Sequence, residues 1–406
     1  MPLNRRNFLK LTSTYLLGSS VASRLLSTPA QAETIKMPFE NGEREIIAYP
    51  QKRPLIRLTS RPPQLETPFS VFNESVLTPN DAFFVRYHLS GVPTQIDPLK
   101  HRITIRGLVK TPLSLSVQAL QDLSTPTEII AVNQCSGNSR GFSSPRVPGG
   151  QLGNGAMGNA RWTGIPLRDI LNKAGVLKGA KQVTFRGLDT APLEATPAFI
   201  KALDIDHALD GEVMIAFAMN GENIPLLNGF PVKLIVPGYY GTYWIKHLSD
   251  IEVLDHTFDG FWMKTAYRIP DNPTHSILPG QTPAKTIPIA RMNVRSFITS
   301  HSEGSTINAN RETLLRGIAF DGGEGIKTVL VSSNSGQSWK EATLGKDLGK
   351  YSFREWTLPF TPNQKGSYTL VVRAITRAGN TQPEVPLWNP SGYMRNVIEK
   401  LHVQAV

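Results

Sequence analysis

A lone thiol five residues ahead of a guanidinium is the most reactive pairing in this sequence. Cys135 is the only cysteine of the chain, so it has no internal disulfide partner. It sits in Ile-Ile-Ala-Val-Asn-Gln-Cys-Ser-Gly-Asn-Ser-Arg-Gly-Phe, residues 129–142. Three fates stay open for such a residue: a thiolate metal ligand, a nucleophile, or a small buried hydrophobe. Arg140 supplies positive charge that favours either a thiolate or an anionic substrate. The second reactive stretch is Phe83-Phe84-Val85-Arg86-Tyr87-His88. In a strand Arg86 and His88, two residues apart, share a face. Burying both without an anion opposite them is costly, so either a carboxylate or an anionic ligand is expected there.

The elements that must hold these residues are mostly short strands. Ile129–Val132 reads as a buried strand and Ser136–Ser139 as the loop after it, which places Cys135 where a rigid strand runs out into a turn. Further strands are predicted at Ala82–His88, Arg102–Leu108, Leu113–Val117, Val183–Arg186, Glu212–Met219 and Val232–Val236, with a hairpin turn at Asn220-Gly221. A helix is predicted over Pro166–Ala174, with Pro at its start and Gly175 after its end. Residues 33–66 are rich in proline and charge and read as an irregular N-terminal arm. The proline-rich stretch 270–288 reads as a linker between a catalytic domain at 67–269 and a second domain at 289–406. In that second part, alternating segments at Thr313–Phe320, Lys327–Ser332, Tyr351–Leu358 and Ser367–Thr376, with Trp339 and Trp356 as core aromatics, predict an immunoglobulin-like β-sandwich. The fold class is therefore α+β with a mainly β first domain.

Composition narrows the function. The formal net charge of the 406-residue chain is +11, which suits anionic substrates or an acidic protein partner. There is no dense basic run to suggest nucleic acid. Zinc-protease, covalent-haem, dinucleotide and phosphate-loop motifs are missing from the sequence. The N-terminus has Arg5-Arg6-Asn7-Phe8-Leu9-Lys10, an apolar stretch and Ala30-Gln31-Ala32, the pattern of a twin-arginine export signal spanning residues 1–32. A periplasmic location is expected, and no membrane span.

Phe-Phe-x-Arg-x-His at 83–88, Asn-Gln-Cys-Ser-Gly-Asn-Ser-Arg at 133–140, Gly-Leu-Asp at 187–189, Asn-Gly-Phe-Pro-Val-Lys at 228–233 and Val-Pro-Gly-x-x-Gly-x-x-Trp-Ile-Lys at 236–246 resemble the sulfite oxidase family of molybdenum enzymes. Gly317-Ile318-Ala319, Trp339, Tyr351, Trp356 and Trp388-Asn389-Pro390-x-Gly392-Tyr393 resemble that family's dimerisation domain. Within the family the motifs are most similar to the molybdenum subunit of bacterial periplasmic sulfite dehydrogenases.

The resemblance implies one molybdenum–molybdopterin cofactor with Cys135 as its protein thiolate. It implies that Phe84, Arg86 and His88 grip the pterin phosphate and that Asp189, Asn228, Lys233, Trp244, Ile245 and Lys246 complete the cofactor contacts. It assigns the substrate pocket to Arg86, Arg140 and Tyr267, with Arg395 added by proximity. The chain departs from animal members at Asn228, at Leu152 and at Ser391, where they carry histidine, tryptophan and arginine. The implied reaction is oxidation of sulfite to sulfate. Without a haem motif in the chain, electrons are expected to pass to a separate c-type cytochrome, the protein being a homodimer or a heterodimer with a cytochrome subunit. Reduction of a sulfoxide, dehydrogenation of sulfane sulfur and nitrate reduction are the alternatives within the superfamily. The C-terminal sandwich counts against the first, Arg140 against the second, and the missing extra domains against the third.

Overall fold

The computed structural model describes residues 33–37 and 41–406; the proposed export signal lies outside the described residues. Residues 33–66 correct the expectation of an irregular arm. Thr34–Lys36, Glu43–Ile47, Leu55–Ser60, Pro63–Glu66 and Val85–Arg86 form an antiparallel meander in that order. Leu55, Leu65, Val85 and Tyr87 make its buried side. These strands are short and carry charge on their exposed face, which hides the two-residue period. The meander positions the site directly, because Gln64 and Leu65 pair with Arg86 and Val85. The strand expected over Ala82–His88 shrinks to Val85–Arg86.

Two further sheets build the catalytic region. One has the order Ile200–Asp204, Gln182–Arg186, Asp250–Leu254, Ile103–Gly107 and Leu113–Leu115, with Asp250–Leu254 parallel to Ile103–Gly107. The other runs Glu222–Asn223, Met214–Met219, Met157–Pro166 and Thr127–Gln134, with Lys233–Ile235 beside Met214–Met219. The ladder from Thr127↔Gly164 to Gln134↔Met157 keeps the chain in register up to the residue before Cys135. Met219 and Glu222 pair across the Asn220-Gly221 turn, where both residues have positive φ. The helix Leu167–Ala174 starts after Pro166 and ends at Gly175, φ +70°. Val117 leaves its predicted strand for the short helix Val117–Gln121, because the Ser116 side chain accepts from the Ala119 amide and caps it.

The C-terminal part is a sandwich of two sheets. Arg295–Ile298, Thr313–Phe320, Arg354–Phe360 and Thr343–Leu344 form one; Ser305–Ile307, Lys400–Ala405, Gly366–Thr376, Ile326–Ser332 and Lys340–Glu341 form the other. Trp356, Leu315, Val329 and Leu370 are fully buried between them, each such side chain contributing roughly 1.5–3 kcal/mol. Trp339 is a correction: it lies half-buried under the Arg373 guanidinium, 4.4 Å from its ring centre, outside the core. The proline-rich stretch pairs at its two ends, Arg268–Pro270 with Thr286–Pro288. Ile289, Met292, Phe297, Phe320, Tyr351 and Phe353 belong to the same apolar cluster as the catalytic sheets. The sandwich is thus packed on the catalytic region and not tethered by a free linker.

Candidate active site

Cys135 begins the loop after Thr127–Gln134, and backbone bonds fix it. Its amide donates to the Ala156 carbonyl at 2.9 Å and its carbonyl accepts from the Asn138 amide. Asn138 Oδ1 in turn accepts from the Ala156 amide at 2.9 Å. Glu66, at the end of the strand Pro63–Glu66, accepts from the amides of Gly153 and Gly155 and so braces the loop that leads into Met157–Pro166. Burial pushes its carboxyl up to about 7, with those amides pulling the other way. Arg140 then folds back over the loop. A Cβ at Gly137 would come within 2.8 Å of its guanidinium, so a side chain there would push that cation aside.

The cavity beside Cys135 gathers almost all of the expected residues. Phe84, Arg86, His88, Cys135, Asp189, Asn228, Lys233, Trp244, Ile245, Lys246 and Tyr267 all line it. Arg140 lies beside it, donating from Nε to the Ser391 carbonyl at 2.9 Å. Arg395 is held elsewhere. Its guanidinium pairs with Glu399 at 3.3 Å and lies 5.2 Å from the Phe142 ring centre, outside the lining. The carboxylate that captures it lies four residues on in the same segment.

The electrostatics of the lining are lopsided. Arg86, Lys233 and Lys246 face a single carboxylate, Asp189. Lys233 is almost fully buried over the Trp162 and Trp244 rings, at 4.8 and 5.6 Å, and its Nζ has no hydrogen-bonding or ionic partner among the described residues. Burial holds its pKa well below the usual lysine range. Lys246 donates to the Arg86 carbonyl at 2.6 Å, and burial brings its pKa to about 8, Asp189 opposing the shift. Such a set of cations is stable only opposite an anion. Asn133 Oδ1 and Ser136 Oγ, which also line the cavity, are buried without hydrogen-bond partners among the described residues.

Several residues were not anticipated. Lys52 donates to the carbonyls of Asn80 and Phe83 and to Asn228 Oδ1. Asn228 Nδ2 donates to the Phe84 carbonyl at 2.9 Å, so both ends of this amide are engaged within the chain. Lys201 is fully buried, donates to the Trp262 carbonyl at 2.7 Å and lies 4.6 Å from the Tyr243 ring centre. His88 hydrogen-bonds the Tyr267 hydroxyl and stacks on Phe199 with centroids 3.8 Å apart. Burial holds its imidazole well below the usual histidine range, with Arg86, Lys246 and Lys201 pushing the same way. Tyr393 stacks on Tyr267 from the C-terminal sandwich.

The donor set fits a cofactor that brings its own metal ligands and a phosphate. One soft sulfur donor, three basic side chains and two orphaned polar atoms line the space, and no cluster of three or more His, Cys, Asp or Glu exists among the described residues. Fold and site together define a molybdopterin-dependent oxidoreductase. Residues 88–262 match the oxidoreductase molybdopterin binding domain and residues 286–406 the Mo-co oxidoreductase dimerisation domain. Rat mitochondrial sulfite oxidase is 30% identical over 99% of this chain and 73% of its own length. The Drosophila melanogaster mitochondrial enzyme is 32% identical over 88% of this chain and 64% of its own. The chain belongs to the sulfite oxidase family, and its activity is that of a molybdenum oxidoreductase acting on sulfur compounds. The sulfane dehydrogenase SoxCD from Paracoccus pantotrophus shares the fold, with a TM-score of 0.70 at 22% identity, covering 95% of this chain and 92% of that one.

Proposed function

We propose that this chain oxidises sulfite to sulfate in the periplasm, reached through the twin-arginine route, and passes electrons to a separate c-type cytochrome. The observation that carries the reading is Cys135 facing a cavity whose lining holds Arg86 and Tyr267, with Arg140 at its side. Cys135 would ligate molybdenum; Lys233, Lys246, Asp189, Trp244 and the Phe84–His88 segment would hold the pterin. When bound, that group supplies the two-electron redox chemistry and the oxygen transferred to sulfur. Arg86 and Arg140 hold the anionic oxygens of the substrate by charge-assisted hydrogen bonds. His88, kept neutral by burial, shares a hydrogen bond with the Tyr267 hydroxyl, so the pair can hold or pass on a proton beside the substrate. The apolar walls Phe84, Phe199 and Trp244 limit water there.

The test is sulfite-dependent reduction of a c-type cytochrome or ferricyanide, with molybdenum quantified in the same sample. Turnover by molybdenum-loaded protein is expected. Loaded protein inactive with sulfite would overturn this reading in favour of another sulfur compound, the alternative that the shared fold of the sulfane dehydrogenase keeps in view.

A further inference from the structure

The segment 388–394 of the sandwich is braced and docked at the same time. Asn389 Oδ1 accepts from the amides of Ser391 and Tyr393 at 3.2 and 3.1 Å, and Asn389 Nδ2 donates to the Tyr393 carbonyl at 2.8 Å. Across the interface, Trp388 Nε1 donates to the Pro145 carbonyl at 2.8 Å, Arg140 Nε to Ser391 at 2.9 Å, and the Met394 amide to the Ser136 carbonyl at 3.1 Å. Gly392 has φ +59°, and a Cβ there would sit 2.6 Å from Val147 and 2.9 Å from Arg140. This close approach sets Tyr393 between two pocket residues. Its ring lies 5.2 Å from that of Tyr267 with planes 8° apart, and 5.0 Å from Arg140 Cζ. Burial raises the pKa of its hydroxyl, with Arg140 opposing the shift and Cys135 adding to it.

We propose that Tyr393 is a positioning residue for substrate, fixing the Arg140 guanidinium through the face of its ring and backing the ring of Tyr267. Four contacts argue for this role: the stacked Tyr267, the overlying Arg140, the Ser391 carbonyl on Arg140 Nε, and the Met394 amide on the residue after Cys135. A guanidinium whose Nε is tied back and whose face rests on an aromatic ring keeps its remaining N–H donors in one direction. The sandwich therefore contributes the part of the pocket that keeps its cation aimed. This inference rests on the sulfite reading above.

The test compares Tyr393→Phe, which keeps the ring, with Tyr393→Ala, which removes it. Both are measured for molybdenum content, thermal midpoint, sulfite KM and kcat, and for sulfate binding to the resting enzyme by calorimetry, which needs no turnover. Tyr393→Ala is expected to raise KM and the sulfate Kd together by about ten-fold, with kcat within about two-fold of the parent. Tyr393→Phe, which keeps the ring under Arg140, should recover most of that loss and so counts as the rescue. The proposal is overturned if KM and sulfate affinity stay at parental values in both variants, or if the only losses are in thermal midpoint and molybdenum content. A parent enzyme that does not turn over sulfite overturns the sulfite reading instead, and the sulfate titration then decides the role of Tyr393. A parent that neither oxidises sulfite nor binds sulfate overturns both.

Discussion

His88 and Tyr267, 179 positions apart in sequence, share a hydrogen bond between Nε2 and the hydroxyl at the wall of the cavity that holds Cys135. Phe199 stacked on the imidazole fixes the ring plane, so the bond depends on three separate segments. Tyr267→Phe removes the hydroxyl and leaves the ring packed on Tyr393. Loss of a positioned proton-handling group typically costs 10²–10⁴-fold; kcat/KM for sulfite should fall by about 10² while the thermal midpoint moves little. A variant with parental kcat/KM would remove this pair from the chemistry.

Cys135→Ser keeps the size of the side chain but replaces a soft thiolate with a hard hydroxyl. The backbone bonds at this position, to Ala156 and Asn138, do not use the side chain, so the fold should survive. Sulfite oxidation should be lost. Circular dichroism and molybdenum analysis on the purified variant check both halves; turnover comparable to the parent would refute the ligand assignment.

Lys52 and Lys201 carry a pH signature. Burial lowers each pKa from 10.5 to about 7. Between those values the unfolded chain binds protons that the native chain refuses, so stability rises with pH from about 7 toward 10.5 and falls as pH is lowered through that window. In cofactor-free protein, Lys201→Met should flatten this slope, shrinking the gain between pH 7.5 and 9.5 by roughly 1–2 kcal/mol. Denaturant titration at the two pH values measures it, and an unchanged slope would show that Lys201 stays protonated in the native state.

Arg395 and Arg295 share one carboxylate, Glu399, at 3.3 and 3.1 Å, while Arg295 also donates to Ser139 Oγ at 3.0 Å. Arg295 is 1% exposed, and burial lowers its pKa to about 10. Glu399→Gln leaves that charge uncompensated and should cost about 3 kcal/mol of stability. Arg395→Gln should change the sulfite KM less than Arg140→Gln does, the steady-state comparison that separates a cation tied to Glu399 from one beside the substrate.

How much of this was legible in the sequence follows from how local each signal is. The strand before Cys135, the Asn220-Gly221 turn and the strand Thr313–Phe320 stand on short-range periodicity and turn chemistry, and the structure shows them where expected. The family motifs named residues for a cofactor, and those residues line one cavity. Lys201 was invisible, because a lysine in a short strand reads as exposed; its burial depends on Trp262 and Tyr243, far along the chain. The N-terminal meander escaped because charged residues interrupt its alternation. Arg395 is paired with Glu399, four residues on in an irregular segment, whereas its expected role assumed reach into the cavity.

The docking of residues 388–394 has a consequence for how such chains can be divided and recombined. The two matched regions meet in sequence between residues 262 and 286, which suggests interchangeable modules. Yet the Ser136 carbonyl, the Arg140 side chain and the Tyr267 ring all find partners in one segment beyond that boundary. A catalytic half cut free at the boundary would lose those three partners at once, and a sandwich borrowed from a paralogue would have to bring a matching segment with it. The two regions therefore complete this site only as a pair.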